Sequence, residues 1–282
     1  MSESSESAGP GLRWSVEQRV AFAAGRLYWD GTINREDLMR RFGVSANQAT
    51  ADLARLKETY PDGFRYDTVG KRYRAEAGFL PAGADPASLL RELRLIAEGH
   101  LGADESVLAA PPPLVIAEFP ERAANAPVLR GLLGAIRDRH AVAARYVSFQ
   151  RPGETLRVLS PHALVFDGFR WHVRAHDAGD DRFKDFLIAR LSRLKDAGAW
   201  RRGPEQDEAW NRTVTLVIVP HPKLDAHQRR VIARDYGMDA RQRLRLAVRE
   251  AVLFYVKRRF GLVEGHETRS PREQHIVLAP GR

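Results

Sequence analysis

The sequence predicts an α+β fold of three modules joined by a helical connector. Stretches rich in glycine and proline at residues 78–83, 111–113 and 198–208 divide the chain. Helix signals dominate before the first break, alternating strand signals fill the part between the second and third, and helices and strands mix after it. A length of 282 residues suits two or three domains, and 44% hydrophobic residues suffice for their cores.

These breaks set the expected domain boundaries. The prolines at 111–113 cannot lie inside a helix, and the leucine stripe at 85–101 predicts an isolated helix just before them. We therefore predict a disordered tail at 1–11, a first module at 12–77, a helical connector at 78–127, a second module at 128–202 and a third at 203–282.

Composition narrows the class of protein. The chain has no cysteine, which excludes a disulfide scaffold, a zinc finger and a cysteine nucleophile and fits a reducing cytoplasm. Residues 1–11 carry no signal-peptide core, and no apolar run approaches the ~20 residues that span a bilayer. We therefore expect a cytoplasmic protein. The net charge of +9 points toward polyanions, with codon usage in a GC-rich genome as the alternative source.

Two helices are predicted at the start of the first module. An amphipathic apolar stripe indicates a helix over 14–29 that ends at Gly31. Asn34 is a good helix cap, and acidic residues follow it in the first turn of a short helix over 35–42.

A third helix and a β-hairpin follow. After a turn at Gly43, Ser45 and Gln48 form a capping-box pattern that opens a helix through about residue 57. Aromatic and basic residues then alternate over 64–74 around a central glycine, which predicts a hairpin. This order of elements is that of a winged helix-turn-helix.

A winged helix-turn-helix places the start of its third helix in the major groove of DNA. There, Asn and Gln side chains pair with adenine, and a Thr methyl group contacts thymine. Basic residues of the hairpin, the wing, contact phosphates or the minor groove. The alternative is a helical domain whose polar helix start is merely solvated. We expect DNA contacts from the helix residues Ser45, Asn47, Gln48 and Thr50 and from the wing residues Arg65, Lys71, Arg72 and Arg74.

Alternating apolar residues in the second module predict a small, strongly bent antiparallel β-sheet or partial barrel. Strands are expected at 141–149 and 156–166. The Asp-Gly pair at 167–168 predicts a two-residue hairpin turn and a return strand at 170–176, and a further strand is expected at 186–191.

On the return strand, every second side chain shares a face of the sheet. His172, Arg174 and His176 therefore lie on one face, and Trp171 lies on the other. Arginines and hydroxyls that converge from several strands would form a pocket for an anion.

Residues in all three modules carry a resemblance to a known family. They are Arg157, 160–164 (SPHAL), 168–175 (GFRWHVRA), Asp185-Phe186 and Arg190, together with 13–15, 48–53, 235–238 and 249–251. This set resembles a WYL-domain regulator with an N-terminal winged helix, of the subgroup that lies beside bacterial anti-phage defence operons. Trp171-His172-Val173 stands where the family has Trp-Tyr-Leu.

The resemblance implies a homodimeric transcriptional regulator, usually a repressor, whose WYL domain (Sm-like) senses a nucleic acid or nucleotide. The residues themselves leave alternatives open: Trp171 in the core, His162 capping a strand, and Arg157 or Arg190 paired with Asp185 or another acid. The sensing positions carried over from the family are Tyr146, Ser148, Arg157, His162, Trp171, His172, Arg174 and Arg190.

The third module is expected to mix strands and helices. A nearly continuous apolar strand at 214–219 suggests burial, helices are predicted at 224–236 and 246–260, and a last strand at 275–278. The resemblance makes this an α/β dimerisation module; the alternative is a covering subdomain in a monomer.

Sequence motifs for catalysis or metal binding are absent. No Walker loop, no Gly-x-Ser-x-Gly elbow and no dinucleotide-binding glycines occur. His172 and His176 lie ~13 Å apart on a strand, which is too far for one metal ion. We therefore expect no enzymatic activity, no cofactor and no metal.

The winged helix-turn-helix pattern predicts DNA binding, and the resemblance implies that the protein is a homodimeric repressor of a phage-defence operon. Its paired winged helices would bind double-stranded DNA at an inverted-repeat operator with half-sites ~34 Å or a multiple apart. An anionic effector, a nucleotide or single-stranded nucleic acid, would release the DNA by preferring the dimer geometry that cannot bind it. The alternatives are a non-specific DNA-binding, processing or scaffold protein of a defence system, and a transcriptional activator.

Overall fold

The computed structural model of the chain describes residues 15–117, 124–149 and 152–280. The chain divides into two compact units, Met1–Glu118 and Phe119–Arg282. The tail expected at 1–11, together with Arg13 and Trp14, lies outside the described residues.

The first unit is built on three helices and a three-stranded antiparallel sheet. The helices are α1 (Val16–Trp29), α2 (Arg35–Phe42) and α3 (Ala46–Thr59). The strands are β1 (Thr32–Ile33), β2 (Phe64–Asp67) and β3 (Arg72–Ala75), in the order β1-β3-β2. Leu27, Leu38, Leu56 and Phe64 are buried where the helices and the sheet meet. The expected winged helix-turn-helix is confirmed.

Local signals set the ends of α2 and α3. The Asn34 side chain accepts from the backbone N–H of Asp37 at 3.0 Å, and the Asp37 carboxylate accepts from the N–H of Asn34 at 2.8 Å. Gly43 ends α2 with a φ of +63°, which a side chain disfavours. The Ser45 hydroxyl accepts from the N–H of Gln48 at 3.3 Å, but among the described residues no bond returns from the Gln48 side chain.

A connector follows in the same unit. Helix α4 (Pro86–Ala97) begins at Asp85, whose carboxylate caps it, and ends before residue 101 because the chain turns at Gly99 with a φ of +74°. Beyond α4, the Ser106 carbonyl accepts from the buried guanidinium of Arg26 at 3.1 Å. This segment therefore packs back onto α1.

The second unit begins with a five-stranded antiparallel sheet covered by one helix. The elements are α5 (Ala126–Asp138), β4 (His140–Val147), β5 (Glu154–Phe166), β6 (Trp171–Asp177), β7 (Arg182–Leu187) and β8 (Leu191–Ala199). The strand order is β7-β6-β5-β4-β8, which is an open sheet and not a closed barrel. Leu132 of α5 is buried in one core with Leu159 and Val173 of the sheet.

Three details of this sheet differ from expectation. The β5–β6 turn lies one residue later than expected: the Asp167 N–H donates to the Arg170 carbonyl at 3.1 Å, which leaves Gly168 and Phe169 between the bonded residues. The strand expected at 186–191 is instead the end of β7, a 3₁₀ turn and the start of β8. Buried apolar residues run through this break and hide it in the sequence pattern. Helix α5 was not predicted.

The second unit continues into a three-stranded antiparallel sheet with short helices. The elements are α6 (Glu208–Asn211), β9 (Thr213–Pro220), α7 (Ala226–Asp235), β10 (Leu244–Arg249), α8 (Leu253–Arg259) and β11 (Ile276–Leu278), with the strand order β10-β9-β11. Leu216, Ile218, Leu262 and Ile276 form its core.

One expectation for this part is wrong. The helix predicted over 246–260 is a strand, β10, in its first part, because half-buried apolar residues alternate there with exposed ones, a period that a strand satisfies. Strand β9 agrees with the apolar strand expected at 214–219 and is buried at alternate positions such as Leu216 and Ile218.

Candidate functional site

The start of α3 presents polar side chains to solvent. Ser45, Asn47, Gln48 and Thr50 are all exposed, whereas Ala49 between them is fully buried. Ser45 is engaged as the helix cap, and the Thr50 hydroxyl donates to a carbonyl of its own helix at 2.8 Å. The side-chain amides of Asn47 and Gln48 have no hydrogen-bond partner among the described residues, so they are open to a base edge.

A buried ion pair fixes α3 against α1. Arg19 donates two hydrogen bonds to the Asp52 carboxylate, at 2.7 and 3.1 Å, and the two side chains are 5% and 3% exposed. A bidentate pair of this kind sets orientation as well as distance. Sequence reasoning missed it, because each charge looks like a solvent-facing residue of its own amphipathic helix.

The β2–β3 hairpin carries the four basic residues expected in a wing, all exposed. Two of them are ion-paired: Arg65 with Glu76 at 3.2 Å, and Arg74 with Asp67 at 2.7 Å. Hydrogen bonds from the Gly70 amide and from Arg74 lower the pKa of Asp67, so this second pair is charged at neutral pH.

Lys71 and Arg72, at the wing tip, pair with no carboxylate that the structure describes. We expect Lys71→Gln to weaken binding to every duplex equally and to lower the salt-dependence slope by about 1, because one phosphate contact is lost. Arg65→Gln is the matched control and should change the slope less, since Glu76 already neutralises Arg65. Fluorescence anisotropy across a salt series measures both slopes, and an unchanged slope for Lys71→Gln would contradict the contact.

In the second unit, Arg174 lies at the centre of a buried network. Its guanidinium donates to Asp207 at 2.8 and 2.9 Å and to Asp185 at 3.2 Å, and the residue is 7% exposed. Burial disfavours the charge, but the two carboxylates outweigh it and raise the pKa of Arg174. Asp185 lies on β7 and Asp207 just before α6, so Arg174 joins the five-stranded sheet to the segment that leads into the second sheet.

His162 is a second side chain that contacts the Asp207 carboxylate. Its Nε2 lies 3.0 Å from the Asp207 carboxylate, and its side chain is 1% exposed. Burial lowers the pKa of His162 more than the neighbouring Asp207 raises it, so the ring is neutral and donates this bond. Its Nδ1 is buried and has no hydrogen-bond partner among the described residues.

His172 links the same network to α8. Its Nε2 lies 3.0 Å from Asp167, and its ring centroid lies 5.0 Å from that of Tyr255, whose hydroxyl donates to Asp185 at 2.9 Å. Burial and the Asp185 charge raise the pKa of Tyr255, so the phenol keeps its proton. Burial alone would raise the pKa of Asp167, but hydrogen bonds from His172 and from two backbone amides lower it to about 2.

The two remaining arginines of the expected sensing set lie in different surroundings. Arg157 is paired with Asp177 at 2.7 Å and with Asp180 at 3.2 Å, so it is held by acids of its own sheet and the following turn. Arg190 places its guanidinium 4.0 Å from the ring centroid of Phe149, which is 85% exposed. Arg190 therefore makes a cation–π contact on the surface.

The other three sensing candidates are spread over the sheet. Trp171 is 51% exposed and lies against Phe166 with centroids 5.0 Å apart, so the alternative of a core position for it is wrong. Tyr146 is half-buried against Phe186 at 5.1 Å, and Ser148 is half-buried two residues further on.

The structure thus brings three of the eight sensing candidates together. His162 and Arg174 share Asp207, and Arg174 shares Asp185 with Tyr255, against whose ring His172 packs. Sequence reasoning missed Asp207 and Tyr255. Asp207 lies 33 residues from Arg174, and Tyr255 lies 70 residues from the carboxylate that it contacts. No local pattern connects residues at such separations.

Two negative observations concern the described residues alone. In that part of the chain, no helix is both long and apolar enough to cross a membrane. The same residues contain no group of three or more His, Cys, Asp or Glu side chains arranged to hold a metal ion.

Three family models match successive stretches of the chain. Residues 15–89 match the BrxR transcriptional regulator winged helix-turn-helix domain, residues 127–196 the WYL domain, and residues 213–281 the BrxR transcriptional regulator C-terminal dimerization domain. The matches follow the chain from the first unit through both sheets of the second.

Similar proteins span nearly the whole chain. The DNA-binding transcriptional repressor CapW of Stenotrophomonas maltophilia is 42% identical over 97% of this chain and 92% of its own. The CapW of Escherichia coli strain KTE188 is 34% identical over 98% and 93%. Among solved structures, the proteasome accessory factor B/C (PafBC) of Arthrobacter aurescens gives a TM-score of 0.33 at 18% identity, covering 94% of this chain and 44% of that one. The chain therefore belongs to the CapW and BrxR family of WYL-domain transcriptional regulators, in which its relatives are DNA-binding transcriptional repressors.

Proposed function

We propose that the protein is a homodimeric repressor that binds an inverted-repeat operator of a phage-defence operon in the cytoplasm. The observation that carries this proposal is the exposed start of α3, where the amides of Asn47 and Gln48 are open while the Arg19–Asp52 pair fixes the helix. A rigid helix with unpaired amides at its start suits direct readout of base edges.

In this proposal each of three parts of the chain has a separate role. Residues 12–77 bind DNA, residues 128–202 sense the effector, and residues 203–282 form the dimer. The two-fold axis of a dimer matches an operator with half-sites ~34 Å or a multiple apart. The protein acts by binding and has no enzymatic activity.

The proposed effector is an anion, a nucleotide or single-stranded nucleic acid, and it binds the five-stranded sheet. The support is the cluster of Arg174, His162 and His172 on neighbouring strands, which ties this sheet to both the α6 segment and α8. An effector releases the operator only if it binds the non-binding dimer geometry more tightly.

Gln48→Ala is expected to weaken specific binding by ~1–3 kcal/mol and to leave non-specific affinity almost unchanged, because it removes a base contact and no charge. Gel-shift competition with the upstream DNA of its own operon against excess random duplex measures both affinities. A uniform loss on all sequences would contradict base readout.

The same competition tests the repressor itself. Retention of the parent protein on its own upstream DNA in the presence of excess random duplex is the expected result. Equal competition by random duplex would contradict a sequence-specific repressor and would favour non-specific DNA binding. A reporter under the same promoter should rise in a deletion strain; a fall would indicate an activator.

A further inference from the structure

The carboxylate of Asp207 is bound to Arg174, the cation at the centre of the buried network in the second unit. Asp207 accepts two hydrogen bonds from Arg174 and one from His162, and it is 1% exposed. A bidentate guanidinium with an additional imidazole donor is a general arrangement for binding a carboxylate or phosphate. Asp207 therefore holds the position that the anionic group of a ligand would take.

The segment that carries Asp207 has few other anchors on the five-stranded sheet. Within residues 204–211, all of them described, Asp207 is the one buried residue. Trp210 is half-buried, with its ring centroid 5.3 Å from that of His162. Little apolar burial opposes movement of this segment, which the bonds from Arg174 and His162 hold to the sheet. Just before it, the Arg201 N–H donates to the Ser160 hydroxyl at 3.2 Å and Arg202 pairs with Asp181 at 2.9 Å, so residues 201–202 fix the point from which the segment would move.

The far side of the segment is joined to the second sheet. The Arg249 guanidinium of β10 lies 4.6 Å from the Trp210 ring centroid, and Arg212 pairs with Glu250 at 3.2 Å. Helix α6 also runs directly into β9, the central strand of that sheet. A shift of Asp207 would therefore be transmitted to the part of the chain that matches a dimerization domain.

Arg157 shows that the arrangement at Arg174 is not a general feature of the sheet. Its partners Asp177 and Asp180 belong to β6 and to the β6–β7 turn, so that pair links the sheet only to itself. Arg174, in contrast, takes one acid from the sheet and one from the segment beyond it.

We propose that Asp207 is an internal competitor for the effector: a phosphate group of the effector replaces its carboxylate on Arg174 and His162, and the displaced segment changes the geometry of the dimer. The buried Nδ1 of His162 has no hydrogen-bond partner among the described residues, so the site is incompletely satisfied while Asp207 occupies it. The inference rests on the proposed effector-released repressor and assigns the site and the mechanism of its release.

Asp207→Asn tests the proposal with inorganic phosphate as the probe. The amide keeps the size of the side chain and removes the competing charge. The state in which residue 207 is displaced from Arg174 and His162 therefore becomes more populated. We expect phosphate to bind this variant about tenfold or more tightly than the parent protein, measured by calorimetry at ionic strength matched with potassium chloride. Asp167→Asn, a buried acid that holds His172 instead of Arg174, is the matched control and should gain no phosphate affinity.

A second measurement uses the unmodified protein and does not depend on the folding of a variant. Phosphate should speed hydrogen exchange of the amides at residues 207–212 relative to chloride at equal ionic strength. Equal phosphate affinity of parent and Asp207→Asn, or unchanged exchange in this segment, would overturn the internal competitor. Operator binding by the unmodified protein without phosphate is scored separately, so failure of the repressor proposal is distinguishable from failure of this one.

Discussion

Asp52→Ala is expected to unfold much of the first unit and to abolish operator binding near physiological temperature. The variant leaves the Arg19 guanidinium buried without its carboxylate, which typically costs about 3–5 kcal/mol. Whole domains are stable by only about 5–15 kcal/mol. Loss of this pair also frees α3 from α1, so the residues proposed to contact bases lose their orientation even in molecules that remain folded.

Hydrogen exchange of the α1 and α3 amides in the full chain measures the loss of stability in Asp52→Ala directly. Glu76→Ala breaks an exposed pair with Arg65 in the same unit and should cost less than about 1 kcal/mol. The double variant Arg19→Met, Asp52→Leu should recover much of the stability, because an apolar pair of similar volume needs no charge compensation. A loss for Asp52→Ala no larger than that for Glu76→Ala would contradict the structural role of the pair.

Features of the first unit that depend on adjacent residues were predictable from sequence. The cap at Asn34 and the left-handed turn at Gly43 involve residues at most four positions apart, and both ends of α2 agree with the structure. In the second unit, the period-two pattern of β6 likewise placed His172 and Arg174 on one face of the sheet. Such signals act before any tertiary contact forms, so one sequence is sufficient to detect them.

The error at β10 has a different origin. Burial alternates along residues 244–249, but Ala247 makes 246–248 a continuous apolar run, and the residues after 249 carry a helical stripe, so the sequence predicted one helix across both. Leu244, Leu246 and Val248 are half-buried in a strand that pairs with β9, with Leu246 opposite Leu216. A helix that began at Leu253 was therefore extended over a strand whose partner lies about thirty residues away.

Some side chains of the candidate sensing site were predictable, and their acidic partners were not. Alternation placed His172 and Arg174 on one face of the sheet and the resemblance added His162, but whether such groups face solvent or an acid depends on how distant segments fold. Asp207 lies in a stretch that looks like a linker, and its carboxylate is nevertheless among the most buried in the second unit. Because Asp207 accepts two hydrogen bonds from Arg174, the guanidinium already has a buried carboxylate partner and is not a free cation that waits for a ligand.

Arg174→Ala is expected to destabilise the second unit by about 3–5 kcal/mol, a larger effect than a ligand contact alone would produce. The variant removes the counter-charge of Asp185 and Asp207 together and leaves both carboxylates in poorly hydrated surroundings. Chemical denaturation measures the loss of stability, and hydrogen exchange of the β6 and α6 amides shows where in the second unit it occurs.

Arg190→Ala is the contrasting variant, because the Arg190 cation lies over an exposed ring and its removal should cost only about 0.5–1 kcal/mol. If Arg174→Ala is no more destabilising than Arg190→Ala, the ion pairs with Asp185 and Asp207 contribute little, and Arg174 would be available to a ligand without competition. If it is much more destabilising, the network stabilises the folded second unit, and an effector must supply a comparable set of bonds to displace Asp207. The free energy of the Arg174–Asp207 and His162–Asp207 bonds therefore determines how much more tightly an effector must bind the state in which Asp207 is displaced.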